Sequence, residues 1–234
     1  QEQVLSLNPS LVMVSGFSQA SFERSYRPIL ELGIPVLVNS EWMEETMLGR
    51  TEWVKVLGYL LDDTELANRK FEEVESKYLA LAKMGRNAAH KPLVIGGLPF
   101  KGTWSVAGSK SYISNLLTDA GATWNWANDS TSTSIQMDFE SVYPIGIKAE
   151  YWLRAGTTQS KEALLAIDSR FADFKAFQSG NIFNNNKRIS PNGMGYDYWE
   201  SGIINPHLIL GDLIQILHPE LMPSDTLFYY QRLK

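Results

Sequence analysis

The sequence predicts an α/β protein of two lobes joined by one long helix, with the first lobe incomplete, and three observations carry that reading. Between Thr64 and Lys83, the apolar residues Ala67, Phe71, Val74, Tyr78 and Leu81 recur at alternating steps of four and three. Arg69, Lys70, Glu72, Glu73, Glu75 and Lys77 take the other faces, so this is one helix lying against something. Short apolar runs bounded by Gly, Pro and Ser lie on both sides of it, as expected of parallel strands covered on both faces. Helical patterns separate those runs, which makes a β-α-β unit before the long helix and a second α/β unit after it.

Taken in order, Glu2 to Leu7 reads as a short helix leading through Asn8-Pro9 into a buried strand, Leu11 to Val14. Gly16 permits a tight turn into a helix from Ser18 to Leu32, which carries Phe22, Tyr26, Ile29 and Leu30 and stops at Gly33. The run IPVLVNS is the second strand. Two strands are too few for a stable sheet, so this lobe reads as incomplete. A helix from Trp53 to Leu61 leads into the long helix, which Thr64 can cap and which Met84-Gly85-Arg86-Asn87 ends. Beyond it come the strand PLVIGG, the loop LPFKGTWSVAGSKS, a helix from Tyr112 to Ala120 and the strand-like TWNWAN. NDSTSTS is a loop by composition, Asp138 a cap for the helix that follows, and EYWLRAG another buried strand. A helix around Lys161 to Ile167, the turn-rich SPNGMGYDYWESG, an amphipathic helix from Pro206 and the aromatic tail LFYYQRL complete the chain. The domain boundaries are therefore 1–63 for the partial first lobe, 64–86 for the joining helix and 87–234 for the second lobe with its tail.

Composition narrows the function. A net charge of -5, with no run of Lys or Arg, argues against a nucleic-acid groove or an anionic membrane patch. With no cysteine there are no disulfides, thiolate metal sites or thiol nucleophiles, though the compartment stays open. His90, His207 and His218 have no partner at helical spacing and no acidic cluster with ligand geometry, so no metal site is expected. Nucleophile-elbow, Walker and complete dinucleotide-binding motifs are missing as well. Gly102 and Gly108, which flank KGTWSVAGSKS, lack the Walker lysine spacing and suit a pocket loop better than a phosphate cradle. Asp138 and Glu140 read as a cap and a solvated side chain rather than a catalytic pair. The protein is expected not to be an enzyme and to carry no cofactor of its own. Its 7 Trp, 10 Tyr and 10 Phe exceed what a plain core of this size requires.

Several stretches, in one order, resemble the substrate-binding proteins of ABC importers for vitamin B12, iron-siderophores and haem. LSLNPSLVMVSGF is similar to that family's helix and first-lobe strand with its pocket loop, and SFERSYRPILELGIPVLV to its next helix and strand. EWVKVLGYLL with KFEEVESKYLAL resembles the run into the interlobe helix, RFADFKAFQSGNIFNNN the penultimate segment, and WESGIINPHLILGDLIQILHPEL the final helix. The resemblance covers nearly the whole chain and implies two Rossmann-like lobes. It departs at the front, where the family has more strands and helices, so an N-terminally truncated chain is expected. Such a chain could expose apolar surface and pair into a dimer.

The resemblance implies a periplasmic, lipid-anchored protein that captures a ferric siderophore, cobalamin or haem and delivers it to a permease and its ATPase. The ligand would lie between the lobes, against loops at the carboxyl ends of strands. Those loops offer Phe17, Trp42, Trp104, Tyr196, Tyr198 and Trp199 as flat faces, with Arg50, Lys101 or Arg154 to balance a ligand's charge. Trp and Tyr at these places also serve as core filling. Glu23 and Glu200 occupy the family's positions for carboxylates that dock on permease arginines; by themselves they read equally well as helix-dipole carboxylates. The alternative is a small Rossmann-like enzyme whose catalytic front part is missing, and a third is a relative that senses its ligand for a partner.

Overall fold

The computed structural model describes residues 2–15, 19–156, 158–191, 193–224 and 226–234. It comprises two compact units, Gln1–Glu44 and Glu45–Lys234.

In the first unit, α1 (Glu2–Ser6) precedes β1 (Val12–Ser15), which pairs in parallel with β2 (Val36–Asn39), Val12 opposite Val36. The single helix predicted between these strands is two, α2 (Gln19–Ser25) and α3 (Arg27–Glu31). Tyr26 leaves helical geometry at the junction, and Pro28, which has no N–H to donate, is accommodated in the first turn of α3. A 3-10 turn, Glu41–Met43, ends the unit.

The second unit opens with α4 (Met47–Glu52), capped by Thr46 Oγ1 accepting from Gly49 N, and α5 (Val54–Leu60). The long helix α6 (Thr64–Arg86) is continuous and buries Ala67, Phe71, Tyr78, Ala82 and Gly85, with Val74 and Leu81 half-buried beside them. Two details differ from the sequence reading. Asp63, not Thr64, occupies the cap position and makes no side-chain cap bond; and the helix runs three residues past Lys83, to end within the Met84–Asn87 stretch at Arg86 with Asn87 as its C-cap. A Cβ at Gly85 would lie 2.3 Å from the carbonyl oxygen of Asp119, so this glycine lets α6 approach the end of α7 (Tyr112–Asp119) backbone to backbone. A Cβ at Gly121, whose φ is +77°, would likewise lie 2.3 Å from the Gly85 carbonyl oxygen. Beside this crossing Tyr78 donates to Asp119 Oδ2 at 2.7 Å, and Arg86 Nε donates to Oδ1 at 2.8 Å. Replacing Gly85 with Ala is expected to cost about 1–3 kcal/mol through overpacking, read as a lower unfolding midpoint in urea.

The main sheet combines β3 (Leu93–Gly96), β6 (Thr123–Trp124), β8 (Tyr151–Leu153), β9 (Ile182–Asn184) and β10 (Gln231–Arg232) in the order β10-β9-β8-β3-β6. All pairings are parallel except that of β10, supplied by the aromatic tail. The stretch read as one pocket loop instead contains β4 (Pro99–Phe100) and β5 (Thr103–Ala107). With β7 (Ser134–Met137), just beyond the polar loop, these make an antiparallel sheet. Lys101 and Gly102 form its two-residue turn, both with positive φ, as hairpin twist requires. Asp138 caps α8 (Phe139–Gly146) as predicted, accepting from Ser141 N at 2.8 Å. The remaining helices are α9 (Lys161–Ile167), α10 (Lys175–Ser179), α11 (Ser201–Ile204) and α12 (Pro206–Leu217). Apolar α12 packs along α6, and its buried Asp212 accepts from the backbone N–H groups of Phe228, Tyr229 and Tyr230 at 2.6, 2.6 and 2.9 Å, tying the tail to the core. Burial holds the Asp212 carboxyl above its ordinary range, with those N–H groups opposing.

Candidate functional site

The order of strands locates a crevice in the second unit. From β3 the chain moves first to β6 on one side and then to β8 on the other, so direction reverses between β3 and β8. Open α/β sheets bind ligands outside the carboxyl ends of strands at such a reversal. Here the two ends are Gly96-Gly97 and Leu153-Arg154, with Gly96 opposite Leu153. The Gly97 φ of +80° suits glycine, whereas Arg154 holds φ +55°, an unusual backbone for a side chain of its size. Its N–H donates to Phe183 O at 2.8 Å, which fixes this conformation to β9. A half-buried cation is thereby set at the mouth of the crevice.

Trp104 and Trp152 underlie this mouth. Their indole N–H groups donate to the carbonyls of Gly96 and Gly97, each at 2.9 Å. Both rings are fully buried, and Trp104 packs against Trp152, Phe139, Phe171 and Phe174 with centroids 6.0–6.3 Å apart. The expectation that Trp104 presents a face to ligand is corrected: both sides of its ring are taken by core aromatics. Tyr198 is also buried, edge-on to Trp199, Tyr229 and Tyr230. It lines a small interior void of about 10 Å³ with Gly96, Leu153, Arg154 and Tyr230, so it packs close to the reversal point without facing open space. Burial pushes the Tyr198 phenol up, and positive charge from Arg154 and Arg50 opposes that push. Tyr230, pushed up by burial in the same way, is not singled out by the sequence, whose only signal for it is the aromatic run at the end of the chain.

The other candidates are more scattered. Arg50 is buried, its guanidinium stacked 4.3 Å over the Tyr112 ring, which spends its face on α7. Lys101 stands at the exposed hairpin tip, 5.4 Å from the ring of Phe100, itself 73% exposed. Tyr196 is half-buried in an isolated bridge with Ile189, and Trp199 is 42% exposed. In the first unit Trp42 is half-buried in the 3-10 turn, and Phe17 lies outside the described residues. Glu23, predicted near a helix start, lies within α2, where Arg27 donates to it through both Nε and Nη2. That hydrogen bonding holds its carboxyl below the ordinary range. Glu200 occupies the cap position of α11, is exposed, makes no side-chain cap bond, and forms no ion pair among the described residues. No group of three or more His, Cys, Asp or Glu side chains with metal-binding geometry occurs among the described residues.

A family model described as periplasmic binding protein matches residues 1–188, and the chain belongs to that family. Two uncharacterized lipoproteins of Methanocaldococcus jannaschii are similar in sequence. One is 23% identical over 94% of this chain and 50% of its own length, the other 26% identical over 100% and 59%. The chain thus spans little more than half the length of these curated relatives. Among solved structures, a periplasmic heme-binding protein from Pseudomonas aeruginosa aligns with TM-score 0.71 and 15% identity, covering all of this chain and 80% of that one. A periplasmic vitamin B12-binding protein of Vibrio cholerae aligns with TM-score 0.63 and 12% identity, over 92% and 76%. An ABC transporter substrate-binding protein from Listeria monocytogenes aligns with TM-score 0.65 and 16% identity, over 93% and 80%. The likeness is in fold: mixed α/β, as the sequence predicted, in a family of solute-binding proteins rather than enzymes.

Proposed function

We propose that this chain is part of the substrate-binding component of an ABC importer for a metal chelate, a ferric siderophore, cobalamin or haem. The observation that carries the reading is Arg154, held by a left-handed backbone at the reversal point near Tyr198 and Tyr230. A fixed cation beside phenols suits an anionic, ring-bearing ligand such as a propionate or catecholate group. The names of the heme- and vitamin B12-binding structures support that ligand class, and the lipoprotein names of the curated relatives support a lipid-anchored protein outside the inner membrane. Trp199 and Lys101 stand exposed to contribute to binding, and Trp42 and Phe17 keep this proposed role in the first unit. Titrating the protein with cobalamin, haem and ferric siderophores should quench tryptophan fluorescence with at least one of them. Silence with all three would rule the ligand class out.

Delivery to a permease is the second half of the proposal, with Glu23 and Glu200 as docking carboxylates. Among the described residues Glu200 has a carboxylate unengaged by ion pairs, whereas Glu23 must exchange its Arg27 pair for a permease arginine. Reversing the charge of both in the whole protein should abolish uptake while leaving ligand quenching intact; unchanged uptake would remove this assignment.

A further inference from the structure

The two tryptophans beneath the β3–β8 crevice set which backbone groups its mouth presents. Trp104 Nε1 donates to Gly96 O and Trp152 Nε1 to Gly97 O, each at 2.9 Å, from rings that are fully buried. Both carbonyls at the end of β3 are thus turned into the aromatic core. In a planar trans peptide the C=O and N–H point in opposite directions, so the N–H that follows each carbonyl is turned away from that core. The first shows the consequence: Gly97 N donates to Leu153 O at 3.2 Å, on the neighbouring strand end. The second, the N–H of half-buried Leu98, takes no partner among the described residues. The pairing of β4 with β5 starts at Pro99, so the hairpin does not use it. Arg154 stands alongside: its Nη2 would lie 3.9 Å from a Cβ at Gly96, which places a guanidinium against the same strand end. A backbone donor held open beside a cation is an arrangement that receives an anionic oxygen.

We propose that the Leu98 N–H is a second anion-receiving group of this crevice, beside Arg154, and that Trp152 is the residue that positions it. The assignment rests on the chelate reading above and sharpens it. The ligand meets this unit through a carboxylate or catecholate oxygen, which accepts from Leu98 N–H while Arg154 balances its charge. Trp152 does not touch the ligand. Without its indole N–H the Gly97–Leu98 peptide is free to rotate its carbonyl toward water, and the donor turns out of line. Trp104 holds the preceding peptide, whose N–H is already spent on Leu153, so the open donor depends on Trp152.

The test is an NMR titration of the Leu98 amide with benzoate and benzylammonium, in the unaltered protein and in Trp152→Phe and Phe171→Leu variants. Benzoate should move the Leu98 amide signal saturably, and benzylammonium should leave it in place. Trp152→Phe keeps an aromatic ring in the core but has no N–H, and should weaken benzoate by about tenfold, the worth of one charge-assisted hydrogen bond. Phe171 packs edge-on to Trp152 with centroids 4.9 Å apart and offers no donor. Phe171→Leu therefore loosens the same core without freeing a carbonyl, and should bind benzoate as the unaltered protein does. A Leu98 amide unmoved by benzoate, or moved alike by benzylammonium, would overturn the proposal. Full affinity in the Trp152→Phe protein, or an equal loss in Phe171→Leu, would overturn the positioning role. The two readings fail separately: silence with cobalamin, haem and ferric siderophores leaves a benzoate shift at Leu98 standing, and chelate quenching without that shift removes this inference alone.

Discussion

Replacing Trp104 with Ala should lower stability by about 3–5 kcal/mol, the range for emptying a buried aromatic site. The indole is fully buried among Phe139, Trp152, Phe171 and Phe174, and its N–H is the partner of the Gly96 carbonyl. Truncation removes the packing and the hydrogen bond together. Denaturation in urea measures the loss, with the slope unchanged if the unit still unfolds as one. Trp199→Ala provides the contrast. Trp199 is 42% exposed, so stability should stay within about 0.5 kcal/mol while ligand-induced quenching falls. Normal stability of the Trp104→Ala protein, with ligand response lost, would instead make Trp104 a pocket wall.

Asp212→Ala should be the second most damaging change, costing about 3 kcal/mol, since three N–H groups lose their acceptor and only part of them can find water. For a chain of this size that is a fall in Tm of roughly 6–12 °C. The effect has an address. Amide exchange should accelerate first at 228–230 and then along β10, which the tail adds to β9. It should also loosen Tyr230 from the cavity it shares with Arg154 and Tyr198, so chelate quenching should weaken along with stability. Exchange rates at 228–230 that match the unaltered protein would show that the tail is held by its aromatic packing alone.

Much of the architecture was legible in the residues because it rests on local periodicity. The apolar steps from Ala67 to Leu81 define α6, and buried runs such as LVIG define β3, whatever else surrounds them. The family was legible for a related reason, since several weak stretches in one order constrain far more than any one alone. Pairing was not legible: β4 and β5 sit in a Gly-rich run whose twist is settled by the Lys101-Gly102 turn, and β7 is held by its partner across the sheet. The break at Tyr26 and the passage of α6 through Gly85 likewise depend on what lies alongside.

Candidate aromatics separate in the same way. Composition showed an excess of Trp and Tyr, but a ring's role depends on which of its faces neighbouring elements cover. Trp104 is enclosed by residues 35 to 70 positions away along the chain, and Arg50 is stacked on Tyr112. The sequence by itself determined helix, strand and kinship, because hydrophobic spacing and motif order are written along the chain. Only the tertiary structure decided which side chains meet at the β3–β8 reversal, because burial and charge at a point are set by residues distant in sequence.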